Sequence, residues 1–364
     1  MAKIFVTGAT GQVGGQLVEL IISERLLGIQ SSQDVICLVR NPSSAEKLVE
    51  LGVTIVKGDL QDSDTILDVM KNGIDYVFHI AANILLNQTY EQMYIPNVLG
   101  TRIMLDAFTK SKAKSFIYTS SIAVYQAFNG RKKLYNIDEN SPKGTLTDGE
   151  PYAITKRIAE DLVIDYSKNH TEKNFFITRL GPIVGPGDRV TIPSLVEAMS
   201  YRIIPKLINR GKHLFSITHP KDVARAQIFL AQHNSSLSGE AFNVAGNPIS
   251  FREIMDIIAD YYLRPHPRFS ITAGIFKFIL PLLRVLNKIF PKIKLIRTAL
   301  SPITINYIIR TYIYNSEKLC DQGFTFSIKP QDAIIDALIY LDAEKKMIKP
   351  NRRIKAKIAR EQNS

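Results

Sequence analysis

The segment PYAITK places Tyr152 and Lys156 four residues apart, so any helix that carries them shows both on one face. A phenol with an ordinary pKa near ~10 gives up its proton reluctantly at neutral pH, and a nearby ammonium favours the ionised form. Such a pair can pass a proton to or from the oxygen of a carbonyl or an alcohol. The spacing alone decides nothing, because a chain with 15 Tyr is expected to hold such a pair by chance, and Tyr314 with Lys318 is a second one. Position separates the two. Tyr152 follows a β-branched run ending in Thr119, Ser120 and Ser121, whose hydroxyls can address the same oxygen, whereas Tyr314 has no such companion and reads as structural.

A second set of residues suits a dinucleotide. GATGQVG sets Gly8, Gly11 and Gly14 between an apolar run and an amphipathic stretch. Glycines are required there because the turn is tight, a Cβ would hold the backbone off a pyrophosphate, and the helix must pack close to the sheet; its N-terminus then offers free N–H groups to the phosphates. Cofactor choice falls to the end of the second strand, where an acidic residue would bond the ribose 2′-hydroxyl of NAD. In VICLVRNPSS that carboxylate is missing and Val39 is followed by Arg40, which can clasp a 2′-phosphate with Ser43 or Ser44 adding hydrogen bonds. NADP is therefore expected, with NAD as the alternative. Asp59 and Leu60 in GDLQD fall where the adenine edge would lie, and Ala81 and Ala82 in HIAAN let a dinucleotide pass close to the backbone.

These residues need a scaffold that brings several strand ends together. The first 120 residues alternate short β-branched runs with amphipathic stretches, the pattern of βαβ units on a parallel sheet. Strands are expected at 4–6, 35–39, 53–56, 76–80 and 116–119, with further ones at 175–178 and 242–244. Val13, Leu17, Leu20 and Ile21 recur at helical spacing, Asp62 and Ser63 can cap a helix that Gly73 ends, and helices are expected at about 152–168 and 251–262.

Taken in order, GATGQVG, GDLQD, HIAAN, NVLGT at 97–101, YTSSIAVY at 118–125, PYAITK and RLGPIVGPGD at 179–188 resemble the extended short-chain dehydrogenase/reductases, the NAD-dependent epimerase/dehydratase family. The likeness continues more loosely to about residue 262. It implies an α/β Rossmann-type doubly wound parallel sheet, with a dinucleotide-binding domain at 1–180 and a smaller substrate-binding portion at 181–343 that returns strands to the main sheet. It also implies a catalytic triad in which Ser121 bonds the substrate oxygen, with Ser120 as second choice, Tyr152 is the acid or base, and Lys156 binds the nicotinamide ribose and lowers the pKa of Tyr152. Gly8, Thr10, Gly11, Gln12, Val13, Gly14, Asn97 and Ile183 match cofactor-binding positions of the family.

Within that family, Ser121 is followed by Ile122, Ala123 and Val124 where sugar-nucleotide dehydratases carry an Asp–Glu pair, so elimination is disfavoured. LVRNPSS and the histidine of THPKDVA look more like the 3β-hydroxysteroid dehydrogenase and dihydroflavonol reductase branch, which implies hydride exchange with a lipophilic substrate. A nucleotide-sugar epimerase retaining NAD, and a non-catalytic NADP-binding redox sensor, remain as alternatives.

The 364 residues, 45% hydrophobic and 22% charged, allow a large core and exclude collagen-like, disordered and disulfide-scaffold classes. Cys37 and Cys320 lie far apart, so neither a disulfide framework nor a metal site is expected, and with no apolar leader before the first strand a cytoplasmic protein is expected. The net charge of +12 is local: residues 264–300 hold eight Lys or Arg and no Asp or Glu, residues 344–364 hold eight against two acids, and the remainder carries a net −2. That distribution points away from nucleic acid and towards anionic lipid, an acidic ligand or a partner. In 264–300, Lys277, Arg284 and Lys288 fall within ~40° on a helix whose other faces are Ile, Leu, Val and Phe. Peripheral contact with an anionic membrane, a lid over the substrate and plain packing are all open, as is a homodimer; residues 344–364 are expected to be a disordered tail.

Overall fold

Runs such as IFVT and VICLV, apolar at nearly every position, suit strands covered on both faces rather than one. The computed structural model describes residues 2–85, 88–125, 133–146, 149–200, 206–233, 235–267, 269–289 and 311–344, and both runs are buried along their whole length. In chain order the first half is β1 (Ile4–Thr7), α1 (Gln12–Ser23), β2 (Val35–Val39), α2 (Glu46–Glu50), β3 (Thr54–Lys57), α3 (Ser63–Lys71), β4 (Tyr76–His79), α4 (Tyr90–Tyr94), α5 (Gly100–Thr109) and β5 (Ser115–Ser121). Then come β6 (Lys133–Ile137), α6 (Pro151–Asn169), β7 (Asn174–Leu180), α7 (Thr191–Ser200), β8 (Lys206–Ile208), β9 (Leu214–Ser216) and α8 (Pro220–Ala231). The rest is β10 (Ala241–Val244), β11 (Pro248–Ser250), α9 (Phe251–Tyr261), β12 (Phe269–Ile271), α10 (Ala273–Ile289), β13 (Thr311–Tyr314) and helices at Glu317–Asp321 and Pro330–Ala343.

Seven parallel strands form the main sheet in the order β10, β7, β5, β4, β1, β2, β3. Successive side chains on a strand point to opposite faces, and the core divides accordingly. Phe5, Leu38, Val77, Phe116, Tyr118 and Phe175 pack under α3, α5 and α6, whereas Ile4, Val6, Cys37, Phe78 and Ile117 pack under α1 and α8. The chain leaves β1 towards β2 on one side and returns to β4 on the other, which opens a crevice at the carboxyl ends of these strands. Gly8, Arg40, Ala81 and Ser121 all stand at or just beyond those ends.

The other strands form a four-stranded sheet, β11, β9, β13, β6, and a two-stranded one, β12 with β8. A separate core of Ile192, Val196, Ile254, Ile258, Ile334 and Leu338 holds α7, α9 and the helix Pro330–Ala343 against this part.

Each expected strand is present: 35–39 matches at both ends, and the others differ by one or two residues at an end. The helices α2, α4, α5, α7, α8, Glu317–Asp321 and Pro330–Ala343 are not expected from the sequence. For α8 the reason is burial on nearly every side, with Asp222 and Gln227 inside beside Val223, Ala224, Ile228 and Leu230, so no polar face marks the helical period. In α10 the helix runs straight through Pro281. Among the described residues no helix is long and apolar enough to cross a membrane. Residues 290–300 of the basic segment, and the expected tail beyond Glu344, lie outside the described residues.

Candidate active site

Pro151 opens α6 at a position where its fixed φ suits a helix and its missing N–H costs nothing. Tyr152, Lys156 and Glu160 then follow at four-residue steps and share the face turned towards the end of β5. Ser121 lies near enough to the Tyr152 hydroxyl to lower its pKa, and its Oγ accepts from the Ala123 N–H at 3.2 Å. Burial pushes the Tyr152 hydroxyl above its ordinary pKa, and the neighbouring Ser121 hydroxyl draws it partly back. Ser120, one residue earlier, is turned into the interior and donates to Glu160 Oε2 at 2.6 Å. The strand's alternation thus leaves Ser121 as the hydroxyl at Tyr152.

Lys156 is 2% exposed; its Nζ donates to the Thr119 carbonyl at 2.5 Å and lies 4.5 Å from the Tyr118 ring centroid. Burial pushes this amine down to about 7, while Glu160, one turn further along, draws it up. Glu160 stands in a buried network. Arg179 Nη2 lies 2.7 Å from Glu160 Oε1, Lys143 Nζ lies 2.9 Å from the same oxygen, and Arg179 Nη1 donates to the Tyr125 hydroxyl at 2.6 Å. Burial drives the Glu160 carboxyl up, but Arg179, Lys143 and Ser120 outweigh it and hold it below the usual carboxylate range. A fixed negative charge therefore sits one turn from the Lys156 amine.

A second chain of hydrogen bonds runs beneath the site from Thr7. The Thr101 hydroxyl donates to the Asn97 carbonyl at 2.7 Å, so it accepts from His79 Nε2 at 3.0 Å, and His79 Nδ1 is left to accept from the Thr7 hydroxyl at 2.8 Å. Burial, reinforced by Lys156, pushes His79 down to about 3, which keeps it neutral in this chain of bonds. Asn97 lies in a π-helical turn, Ile95–Leu99, inserted between α4 and α5. Its amide donates to the Asn83 carbonyl at 3.1 Å and to the Thr155 hydroxyl at 3.1 Å, and Thr155 donates to the Tyr152 carbonyl at 3.0 Å. The π-turn thereby ties the start of α6 to the loop after β4.

The residues that could hold a dinucleotide collect around β1. At Gly8 φ is +78°, and a Cβ would come within 2.7 Å of the Ala81 nitrogen; one on Gly14 would stand 2.2 Å from the Gly8 carbonyl oxygen. Gly11 is the N-cap of α1 with no side chain capping it, and with Thr10 it is exposed, so the first N–H groups of α1 at Gln12, Val13 and Gly14 lack helical partners and face the crevice side. Val13 and Ile183 pack in one cluster with Ile80, and Gln12 Nε2 donates to the Gly185 carbonyl at 3.4 Å. Ala82 is half-buried just past β4, and Leu60 is buried against Gly100. This cradle fits a pyrophosphate-bridged dinucleotide. Arg40 is 81% exposed with its Nε only 3.9 Å from Asp59 Oδ2, leaving the guanidinium free for an anion. Ser43 and Ser44 are exposed, and their hydroxyls donate to Asn41 Oδ1 at 2.8 Å and the Asn41 carbonyl at 2.7 Å within their own turn.

Glu160, Arg179, His79 and Thr155 escaped the sequence reading. Glu160 had a usable signal, since it continues the stripe of Tyr152 and Lys156 by one more step of four. Arg179 had none, because its partner is set by β7 lying next to β5. Tyr314 is buried in β13, and Lys318 pairs with Glu240 at 2.6 Å, which makes the second Tyr–Lys pair structural.

Comparison with known proteins places this geometry. The 3beta-hydroxysteroid-dehydrogenase/decarboxylase isoform 2 of Arabidopsis thaliana is 26% identical over 358 residues, covering 93% of this chain and 62% of that protein. This chain therefore spans somewhat under two thirds of that relative's length. A sterol-4-alpha-carboxylate 3-dehydrogenase, decarboxylating, from Bos taurus is 30% identical over 200 residues, covering 53% of this chain and 54% of the relative. Among solved structures, UDP-glucuronic acid 4-epimerase from Bacillus cereus, in complex with NAD, shares the fold at a TM-score of 0.71 and 18% identity, over 94% of this chain and 99% of that one. The model of the NAD dependent epimerase/dehydratase family matches residues 4–245, from the first strand of the sheet through the strand at its far edge, and the chain belongs to that family.

Proposed function

We propose that this protein is an oxidoreductase that exchanges hydride between NADP(H) and a carbonyl or secondary alcohol on a lipophilic, sterol-like molecule. The observation that carries the reading is the meeting of Ser121, Tyr152 and Lys156 at the end of β5, with Ser121 beside the Tyr152 hydroxyl and Lys156 buried one turn behind. Ser121 and Tyr152 orient and polarise the substrate oxygen, and Tyr152 passes the proton. Lys156 would bring positive charge beside Tyr152, and Glu160 draws Lys156 towards its charged form against the effect of burial.

The glycine loop and the first N–H groups of α1 would hold the pyrophosphate, Arg40 the 2′-phosphate, Asp59 and Leu60 the adenine side, and Ala81, Ala82, Asn97, Lys156 and Ile183 the nicotinamide half. When bound, the dinucleotide gives or takes the hydride. We assign dinucleotide binding to residues 1–180 and substrate binding to 181–343. The names of the two relatives, both 3-dehydrogenases of steroid or sterol substrates, support a lipophilic substrate.

The test is turnover of 3-hydroxysteroids with NADP, alone and after Tyr152→Phe. Loss of one hydroxyl should lower turnover by ~10²–10⁴-fold with cofactor affinity little changed. Retention of more than ~10% of the wild-type rate would remove Tyr152 from its role, and purification with tightly held NAD would favour epimerisation instead.

A further inference from the structure

Helix α10 carries an apolar stripe that faces water. Ile275, Phe278, Leu282, Val285 and Ile289 are 50%, 87%, 59%, 52% and 61% exposed. Their spacing of three, four, three and four residues puts them in an arc of ~80° along ~21 Å of helix. Phe276, Ile279, Leu280 and Leu286, on the adjoining face, are half-buried, so the outward stripe is not the face that packs on the protein. No residue of α10 whose side chain is described is buried. The helix is nevertheless fixed at its start: β12 pairs with β8, Arg210 N donates to Ser270 Oγ at 2.7 Å, and Ala273 N donates to Asn209 Oδ1 at 3.0 Å.

The charge around this stripe selects what covers it. Residues 264–300 contain eight Lys or Arg and no acidic residue, and Lys277 is exposed on the flank of the stripe. Arg284 and Lys288, which the sequence reading set beside Lys277, have side chains outside those described. A second copy of this helix would bring one such segment against another, and the chain's own tail at 344–364 is also strongly basic, so neither complements it. Nucleic acid would match the charge and leave five large apolar side chains in water. A surface that is apolar below and anionic above matches both features. Seventeen residues, about 26 Å of helix interrupted by Lys277 and Arg284, do not make a span.

We propose that α10 is a membrane-docking helix that lies in the interface of a bilayer containing anionic phospholipid, with Ile275, Phe278, Leu282, Val285 and Ile289 entering the acyl boundary and Lys277 at the headgroup phosphates. Docking requires neither cofactor nor turnover, so it stands or falls apart from the catalytic reading.

The chain contains no tryptophan, and Phe278→Trp therefore gives a single fluorophore at the most exposed point of the stripe. On full-length protein, its emission should move to shorter wavelength with phosphatidylcholine vesicles containing phosphatidylserine, and the shift should shrink as salt rises. Lys277→Gln should weaken sedimentation with those vesicles by about five-fold. Replacing Phe278, Leu282 and Val285 together with Gln leaves every charge in place and should abolish sedimentation while cofactor affinity is kept. If this triple variant sediments like wild type, the tail holds the membrane and the proposal is overturned. It is equally overturned by an unshifted Trp emission, by a dimer that the triple variant dissolves, or by a raised substrate KM in the triple variant without vesicle binding, which would make α10 a lid. The single Phe278→Gln variant, at a site 87% exposed, guards against loss of folding and should already weaken sedimentation.

Discussion

Lys156 sits between two opposed forces, and the balance is set by a residue that never touches the reacting oxygen. Burial alone would leave the amine neutral at neutral pH, whereas the Glu160 carboxylate draws it back towards the charged form. Glu160 can do so because Arg179, Lys143 and Ser120 keep it ionised inside the protein. Glu160→Gln keeps the shape and removes the charge. Lys156 should then lose its proton at lower pH, and since the role proposed for it needs the ammonium, the alkaline limb of the kcat/KM profile should move to lower pH. The same change leaves Arg179 as an unpaired buried cation, which costs ~3–5 kcal/mol of stability. A stability loss with an unmoved alkaline limb would reduce Glu160 to a structural role. The contrast with Tyr152 shows what a sequence can display: Tyr152 and Lys156 stand out by their type and their place after Thr119–Ser121, and Glu160 continues their spacing, but its charge becomes meaningful only when β7 brings Arg179 to it.

At the scale of elements, the strand–turn–helix units were readable because burial on both faces of the sheet produces continuous apolar runs bounded by glycine. The π-turn at Ile95–Leu99 was not, since one extra residue per turn leaves no periodic mark over five positions. Its consequence is the chain of bonds from Asn97 through Thr101 to His79, which works only while His79 is neutral. The folded pKa of His79, about 3, lies below the ordinary 6.5, so the unfolded chain binds the extra proton first. Stability from this residue is therefore complete above pH ~6.5 and falls by ~1.4 kcal/mol per pH unit as the pH drops towards ~3. His79→Asn should be less stable at neutral pH, yet its denaturant midpoint should fall less steeply between pH 7 and pH 5 than that of the wild type. Parallel slopes for the two proteins would mean that His79 takes up a proton in the folded state.

For the molecule as a whole, the two proposed portions meet where the proposed dinucleotide would lie. The segment after β7 lies against the glycine loop, with Gly187 at φ +83° beside Gln12 and the Gly185 carbonyl accepting from the Gln12 amide. Asp188 fixes the far end of that segment by accepting from the N–H groups of Val190, Thr191 and Ile192 at 2.8–2.9 Å. A ligand seated here bridges both portions, and its binding free energy adds to global stability: at a concentration one hundred times Kd the gain is ~2.7 kcal/mol. The gain should depend on Arg40, the exposed cation past β2 that lies 3.9 Å from Asp59. Losing a charge-assisted contact weakens binding about ten- to a hundred-fold, so Arg40→Ala should remove ~1.4–2.7 kcal/mol of the stabilisation given by NADPH at a fixed, saturating concentration. NADH, which has no 2′-phosphate, should protect the variant and the wild type alike. Because Arg40 is exposed and only loosely paired with Asp59, the apo variant should melt with the wild type, so the comparison isolates the cofactor. Equal losses for both dinucleotides, or stronger protection of the wild type by NADH, would show that Arg40 does not read the phosphate and that NAD is the working cofactor.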